Sequence, residues 1–460
     1  MDAEQTDIVV IGMGPGGEDA AGQLAQAGLH VTGVEAKLVG GECPYWGCVP
    51  SKMMIRAANL LAEARRVPGM AGASTVAADW APVAARIRAE ATDSWDDKVA
   101  VDRFVDKGGH FVRGRGRITG AREVTVGTPD GDVRVFRARR GIVIATGTEP
   151  SVPPIPGLAG TPYWTNREAI ETEQVPQSLM VLGGGAVGAE LAQVFSRFGA
   201  QVAVVEALPR LLPAEEPEAS ELLEAVFTRE GIAVRTGTRA ERVSHNGHIF
   251  RLSLADGTVL AAERLLAATG RRAGLAGLGV AAAGLDPSAA SIPVDDRMRA
   301  ADGVWAIGDI TGKGAFTHVA MYQAGIAVRD ILGQGGPPAD YRALPRVTFT
   351  DPEVGSVGLT EAQAREQDLA VRTGITQVPS SARGWIHKAG NDGFIKLIED
   401  AHRGVLVGAT SAGPVGGEVL GALAVAVHGQ VPVADLRAMI YAYPTFHRGI
   451  EDALHALAGR

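Results

Sequence analysis

The chain has 460 residues, 46% of them hydrophobic and 21% charged, and a net charge of -8. That length makes roughly two to four domains with ample core. The acidic balance argues against a nucleic-acid footprint, which would be basic. No apolar run reaches the 18 or so residues of a membrane span.

The elements follow in chain order. "MDAEQTDIVVIG" opens acidic and breaks at a glycine, unlike a secretion signal, so a cytoplasmic protein is expected. Residues 7 to 35 read as strand, G-x-G-x-x-G, amphipathic helix and second strand ending in Glu35. Next comes "GGECPYWGCVPSK" at 40 to 52, which holds both cysteines of the chain, Cys43 and Cys48. In a reducing compartment a static disulfide is not expected, and a close pair points to redox or metal chemistry. Two thiolates make only half of a tetrahedral metal site, and no His or Cys follows at ligand spacing, so no metal is expected.

Helices are expected over 43 to 66 and 79 to 107. A β-meander is expected over 110 to 145, turning at "TPDG" (128 to 131). Its Arg-rich stretch at 112 to 122 reads as the polar face of strands. The meander ends in "GIVIATGTEP", and the proline-rich 149 to 157 marks a linker.

Residues 178 to 206 then repeat the first unit. Gly12 to Glu35 is 23 positions, and so is Gly183 to Glu206; the helix-ending Gly28 and Gly199 match as well. Gly12 and Gly183 make the tight turn. Gly14 and Gly185 let a pyrophosphate approach the backbone, and Gly17 and Gly188 let helix and strand pack closely. The helix N-terminus offers free N–H groups to phosphates. Glu35 and Glu206 are placed to accept from a ribose diol, and a carboxylate there repels a 2′-phosphate. Two dinucleotides are therefore expected, FAD at the first unit and NAD(H) rather than NADP(H) at the second. Arg210, just beyond Glu206, complicates that preference. A hairpin is expected at "SHNGH" (244 to 248). "LLAATGR" echoes "VIATGT", "GVWAIGDITG" (303 to 312) is another strand and turn, and "GQGGPPADY" (333 to 341) is a second linker. A strand-and-helix domain fills 341 to 460, with an apolar helix at 416 to 429.

Together, "GGECPYWGCVPSK", the two dinucleotide units, the paired "ATG", "GVWAIGD" and the terminal "YPTF" resemble the class I pyridine nucleotide-disulfide oxidoreductases. That family includes dihydrolipoamide dehydrogenase, glutathione reductase and mercuric reductase, and the likeness runs over essentially the whole chain. It implies an α/β fold: two Rossmann-like dinucleotide-binding domains plus an α+β C-terminal interface domain. The FAD domain would be 1–150 and 271–340, the NAD(P) domain 151–270, and the interface domain 341–460. It also implies a homodimer whose active sites are completed across the interface, acting on a small molecule.

By the same resemblance, Cys48 would face the flavin and Cys43 would be the interchange thiol. Lys52 would lie near the flavin N5, Glu190 near nicotinamide and flavin, and Asp309 on the ribityl chain. The implied cofactor-binding positions are Gly12, Gly14, Gly17, Glu35, Gly41, Lys52, Gly116, Thr146, Gly147, Gly183, Gly185, Gly188, Glu206, Gly270 and Asp309. Cysteines at i and i+5 on a regular helix point about 140° apart. A Cys43–Cys48 disulfide therefore needs an irregular first turn, which Pro44 and the Gly-Gly turn would supply. A helix N-terminus would also lower a thiol pKa.

The chain departs from the family at its C-terminal motif, His-Pro-Thr-x-x-Glu. Here Tyr443 stands for the catalytic His and Arg448 for the Glu. Tyrosine has a reference pKa of about 10 and is a poor base at neutral pH, although it can donate a hydrogen bond. His447 is the candidate substitute. No C-terminal cysteine pair of the mercuric-reductase kind is present, and "GRRAG" (270 to 274) replaces the usual Gly-Arg-x-Pro-Asn. Tyr45 and Trp46 are bulkier than usual and serve local packing in the simplest reading. The leading expectation is an FAD-dependent, NAD(P)H-linked disulfide oxidoreductase. The alternatives are an NADH:acceptor reductase (quinone, metal ion or dye) with a dispensable disulfide, and a low-turnover redox-sensing or docking flavoprotein.

Overall fold

The structure, a computed structural model, describes residues 3–458. It divides into two compact units. One takes the chain up to Ser51, then Ala85–Ser151 and Arg271–Asp340; the other takes Lys52–Ala84, Val152–Gly270 and Tyr341 onward.

The first unit is built on a sheet whose parallel strands run in the order Val304–Ala306, Val133–Ile144, Glu4–Ile11, Val31–Glu35, His110–Arg113. The central strand is apolar on both faces because both are covered. Ile8 and Val10 pack with Leu24, Phe104 and Ile326 on one side. Val9 and Ile11 pack with Ile118, Phe136 and Ile142 on the other. Each fully buried side chain of this size contributes about 1.5–3 kcal/mol. The expected meander forms from Arg115–Gly120, Glu123–Gly127 and the start of Val133–Ile144. Its turn closes where Thr128 N–H donates to the Asp132 carbonyl (2.9 Å). His110–Arg113 is not part of it; that strand pairs in parallel with Val31–Glu35.

The second unit repeats the plan. Four parallel strands run Ala233–Arg235, Gln201–Val205, Ser178–Leu182, Arg264–Ala267. A three-stranded antiparallel sheet follows, whose first turn is the expected hairpin. There Asn246 Oδ1 accepts from the N–H groups of His248 (3.0 Å) and Ile249 (2.8 Å). Beyond it lies a five-stranded antiparallel sheet in the order Pro345–Thr348, Glu353–Gly358, Val405–Gly413, Phe394–Asp400, Val371–Gln377. Helix Gly416–His428 buries Val419, Leu420, Leu423 and Val427 in that layer's core, while Val425 stays exposed. The apolar helix thus buries one face in its own domain. The class is α/β, two Rossmann-like units plus an α+β C-terminal layer.

The sequence repeat is a repeat of hydrogen bonds too. Gly12 N–H donates to Val34 O and Gly183 N–H to Val205 O, both 2.8 Å. Ala145 N–H donates to Ile11 O (2.8 Å) and Ala268 N–H to Leu182 O (2.7 Å). The two "ATG" segments therefore enter their sheets in the same way.

Two helix expectations need correction. Residues 43 to 66 are two helices, Glu42–Trp46 and Cys48–Arg66, separated at Gly47. Residues 79 to 107 are also interrupted. A helix at Ala81–Arg86 widens into a π-helical turn, Ile87–Ala91, and a new helix, Lys98–Asp106, begins after a break. In that break Asp93, Ser94 and Trp95 all have positive φ (46°, 59° and 60°), a left-handed run that helical periodicity does not reveal.

Candidate functional site

The first glycine turn is shaped by close approach. A Cβ on Gly12 would lie 2.5 Å from Ala145 O, and one on Gly17 would lie 2.0 Å from Gly12 O. Gly14 faces open space, with nothing within 4 Å. The second turn matches: Gly183 would meet Ala268 O at 2.3 Å, Gly188 would meet Gly183 O at 2.0 Å, and Gly185 faces open space. In each case the middle glycine opens a cradle that a side chain would fill, at the start of a helix whose N–H groups suit a phosphate. Gly41 closes over the first cradle, its Cβ position 2.9 Å from Gly14 Cα. The residues present fit a dinucleotide at each turn.

The two acids are held by backbone N–H groups. Glu35 accepts from the N–H groups of Met13 (2.8 Å) and Lys37 (2.7 Å). Glu206 accepts from Gly184 and Leu208, both at 2.7 Å. Each carboxylate thus braces its own glycine turn and keeps lone pairs for a hydroxyl. Arg210 is committed elsewhere. Its guanidinium donates to Ser220 Oγ and Glu215 O (both 2.8 Å) and to Pro213 O (2.9 Å), tying a loop together.

Asp309 Oδ2 accepts from Thr148 Oγ1 at 2.9 Å. Arg271, first of the two arginines in "GRRAG", donates to Thr148 Oγ1 (2.8 Å) and Thr148 O (2.7 Å). The turn after "ATG" and the Asp309 loop are therefore one polar cluster in the first unit. Thr146 and Gly147 lie in that turn; Gly147 and Gly270 have positive φ (63° and 112°) and open space beside them. Gly116 is a packing glycine, its Cβ position 3.0 Å from Ile11 Cγ2.

The cysteines come together through the break between their helices. Cys43 lies in Glu42–Trp46, and Cys48 opens Cys48–Arg66. The break between the two helices falls at Gly47, whose Cβ position is 3.0 Å from Glu42 O, beyond the Pro44 and Gly-Gly turn that the sequence pointed to. Both are free thiols. Cys48 Sγ lies 3.5 Å from Thr317 Oγ1, a partner that sequence reading missed. The thiol pKa expectation also needs correction. Cys43 is pushed up, first by its hydrogen bond to Cys48 and then by burial, against a lowering contact with Thr317. Tyr45 is buried, its phenol pushed up to about 12 by burial and by Asp97 and Glu18, in keeping with a packing role.

In the second unit Lys52 Nζ pairs with Glu190 Oε2 at 2.8 Å. Glu190 is only 6% exposed, so it is not a solvated helix residue. At the C-terminal motif Tyr443 is 70% exposed, and the Arg448 guanidinium sits 5.5 Å from its ring centre. Arg448 also pairs with Glu451 at 2.8 Å. His447 Nε2 lies 3.4 Å from Thr445 Oγ1. Where relatives orient an imidazole with a carboxylate, this chain lays a guanidinium across a phenol. Among the described residues no group of His, Cys, Asp or Glu is poised to hold a metal, and no helix is long and apolar enough to cross a membrane.

The family described as pyridine nucleotide-disulphide oxidoreductase matches residues 6–324, and its dimerisation domain matches 344–454. The chain belongs to this family. The family binds FAD and a pyridine nucleotide, and its members are oxidoreductases. The chain is 36% identical to dihydrolipoyl dehydrogenase of Chlorobaculum tepidum, over 98% of this chain and 97% of that one. It is 34% identical to mercuric reductase of Acidithiobacillus ferrooxidans, over 98% and 82%. Among solved structures, LpdA from Mycobacterium tuberculosis aligns with a TM-score of 0.87 at 27% identity, covering 98% and 99% of the two chains. The Cu(II) complex of the HOCl-induced flavoprotein disulfide reductase RclA from Escherichia coli also aligns at 0.87, with 26% identity and 99% of each chain covered.

Proposed function

We propose that the chain is a homodimeric, NADH-linked disulfide reductase of the cytoplasm, using Cys43 and Cys48 on a small disulfide. In this reading residues 1–150 with 271–340 hold FAD, 151–270 hold the nicotinamide nucleotide, and 341–460 form the dimer interface. The observation that carries it is the pairing of Cys43 with Cys48 at the Gly47 break. NADH over NADPH is supported by the Glu206 carboxylate and by the engagement of Arg210 in its own loop. FAD, when bound, relays two electrons between reduced nicotinamide and the sulfur pair.

The chemistry of the pair needs no histidine. The Cys43 sulfur attacks a substrate sulfur as its proton passes to the departing substrate sulfur, so a mixed disulfide forms and one substrate thiol leaves. Cys48 then attacks Cys43, its proton passing to the second substrate sulfur, which closes the disulfide and releases the second thiol. Two electrons leave the dithiol and two substrate thiols appear. Thr317 holds Cys48 in place through its hydroxyl. Tyr443 serves as a hydrogen-bond donor rather than a base.

A second reading is favoured by the loss of the family His: electrons pass to a quinone, dye or metal ion without the disulfide. One experiment separates the two. The holoprotein is titrated anaerobically with NADH while visible absorbance is followed, for wild type and Cys48→Ser. A long-wavelength band at two electrons, absent from the variant, supports the disulfide route. Simple bleaching in both, with turnover independent of Cys43, overturns it.

A further inference from the structure

Helix Ala186–Arg197 turns three buried polar side chains, Glu190, Gln193 and Arg197, toward one stretch of backbone. Phe349 N–H donates to Glu190 Oε1 at 2.8 Å. Asp351 N–H donates to Gln193 Oε1 (2.7 Å), and Gln193 Nε2 donates to Asp351 O (2.9 Å). Arg197 Nη2 reaches Asp351 Oδ2 at 2.8 Å. Helix Cys48–Arg66 joins the same seam. Beyond the Lys52–Glu190 pair, Arg197 Nη1 donates to Asn59 Oδ1 at 2.6 Å, and Arg66 Nη2 reaches Asp351 Oδ2 at 2.7 Å. Buried polar groups paired along two helices set the register of residues 349–351. Phe349 is thereby held with its N–H on Glu190 and its ring 4.6 Å from Lys52 Nζ, within cation–π range.

We propose that Phe349 is a positioning residue of the redox site. Its main chain anchors one oxygen of Glu190, and its ring covers the ammonium of Lys52, which binds the other. Neither helix supplies this arrangement by itself. It rests on the proposed function, in which Lys52 and Glu190 serve the nicotinamide and flavin.

The test is made on the FAD-loaded protein with Phe349→Leu, which keeps the N–H and most of the volume, and with Phe349→Tyr, which keeps the ring. Labelling of Lys52 by an acylating reagent is read by mass spectrometry, beside the rate of flavin reduction by NADH. The loss of a partly exposed cation–π contact is expected to raise Lys52 labelling about threefold in the Leu variant, with the Tyr variant close to wild type. Flavin reduction is expected to slow in the Leu variant and to recover in the Tyr variant. Unchanged Lys52 labelling in Phe349→Leu overturns the inference. Raised labelling with an unchanged reduction rate upholds Phe349 as the holder of the pair, and instead refutes the reading that places the pair at the flavin.

Discussion

Glu35 and Glu206 do the same work in two different sheets: each closes two backbone hydrogen bonds across its own glycine turn, to Met13 and Lys37 in one and to Gly184 and Leu208 in the other. Removing either carboxylate strands a turn N–H, at a cost of about 1–3 kcal/mol per buried donor, and in the proposed reading it also removes a ribose contact. Glu206→Ala is expected to weaken NADH about tenfold or more and to erode discrimination against NADPH. FAD content should hold. Glu35→Ala should do the reverse, lowering FAD occupancy and leaving nucleotide binding near wild type. Flavin absorbance per protein and NADH titration check both.

Cys43 holds its proton because Cys48 lies beside it and because it is buried. A raised thiol pKa means that thiolate, and so reactivity, appears only as pH rises. Replacing Cys48 with Ala removes the largest raising cause. The alkylation rate of reduced Cys43 should then climb at a lower pH in Cys48→Ala than in wild type. Matching pH profiles for the two proteins would contradict that cause.

Tyr443 puts a phenol, with the Arg448 guanidinium 5.5 Å from its ring centre, where the family resemblance implies a catalytic imidazole. Wild type should therefore be slow on lipoamide near pH 7. Tyr443→His should raise that rate, with a ceiling of about 100-fold because Arg448 is left where relatives have the orienting Glu. Steady-state assays of the two proteins decide it, and a wild type already fast on lipoamide would sink the point.

Arg197 is 3% exposed and pairs with Glu230 (2.5 Å) as well as Asp351 (2.8 Å). Arg197→Met leaves a buried carboxylate short of a cation, and breaking such a pair typically costs about 3 kcal/mol or more. Arg66 still faces Asp351, which keeps the expected loss at the low end. Thermal unfolding of the holoprotein should show a drop of a few degrees, because 1 kcal/mol shifts the Tm by about 2–4 °C in a domain of roughly 150–250 residues and by less in a longer chain.

Several errors of the sequence reading share a cause. Gly47 divides the cysteine helix because a glycine breaks helical geometry without disturbing the apolar spacing on either side, and Pro44 was the more visible suspect. The helix over 79 to 107 failed in the same way: a π-helical turn and three positive-φ residues leave the hydrophobic pattern intact. Strand His110–Arg113 looked like its meander neighbours because alternation does not distinguish parallel from antiparallel partners.

The sequence by itself determined the class of this protein, its two dinucleotide units and its cysteine pair, because glycine spacing, strand periodicity and motif order are local and were on display in the chain. Tertiary structure alone decided that Lys52 meets Glu190, that Phe349 holds them, that Arg210 is spent on its own loop and that Thr317 reaches Cys48. Those are polar groups meeting across long stretches of chain. Which partner each one finds follows from the packing that removes it from water, and local sequence does not encode that.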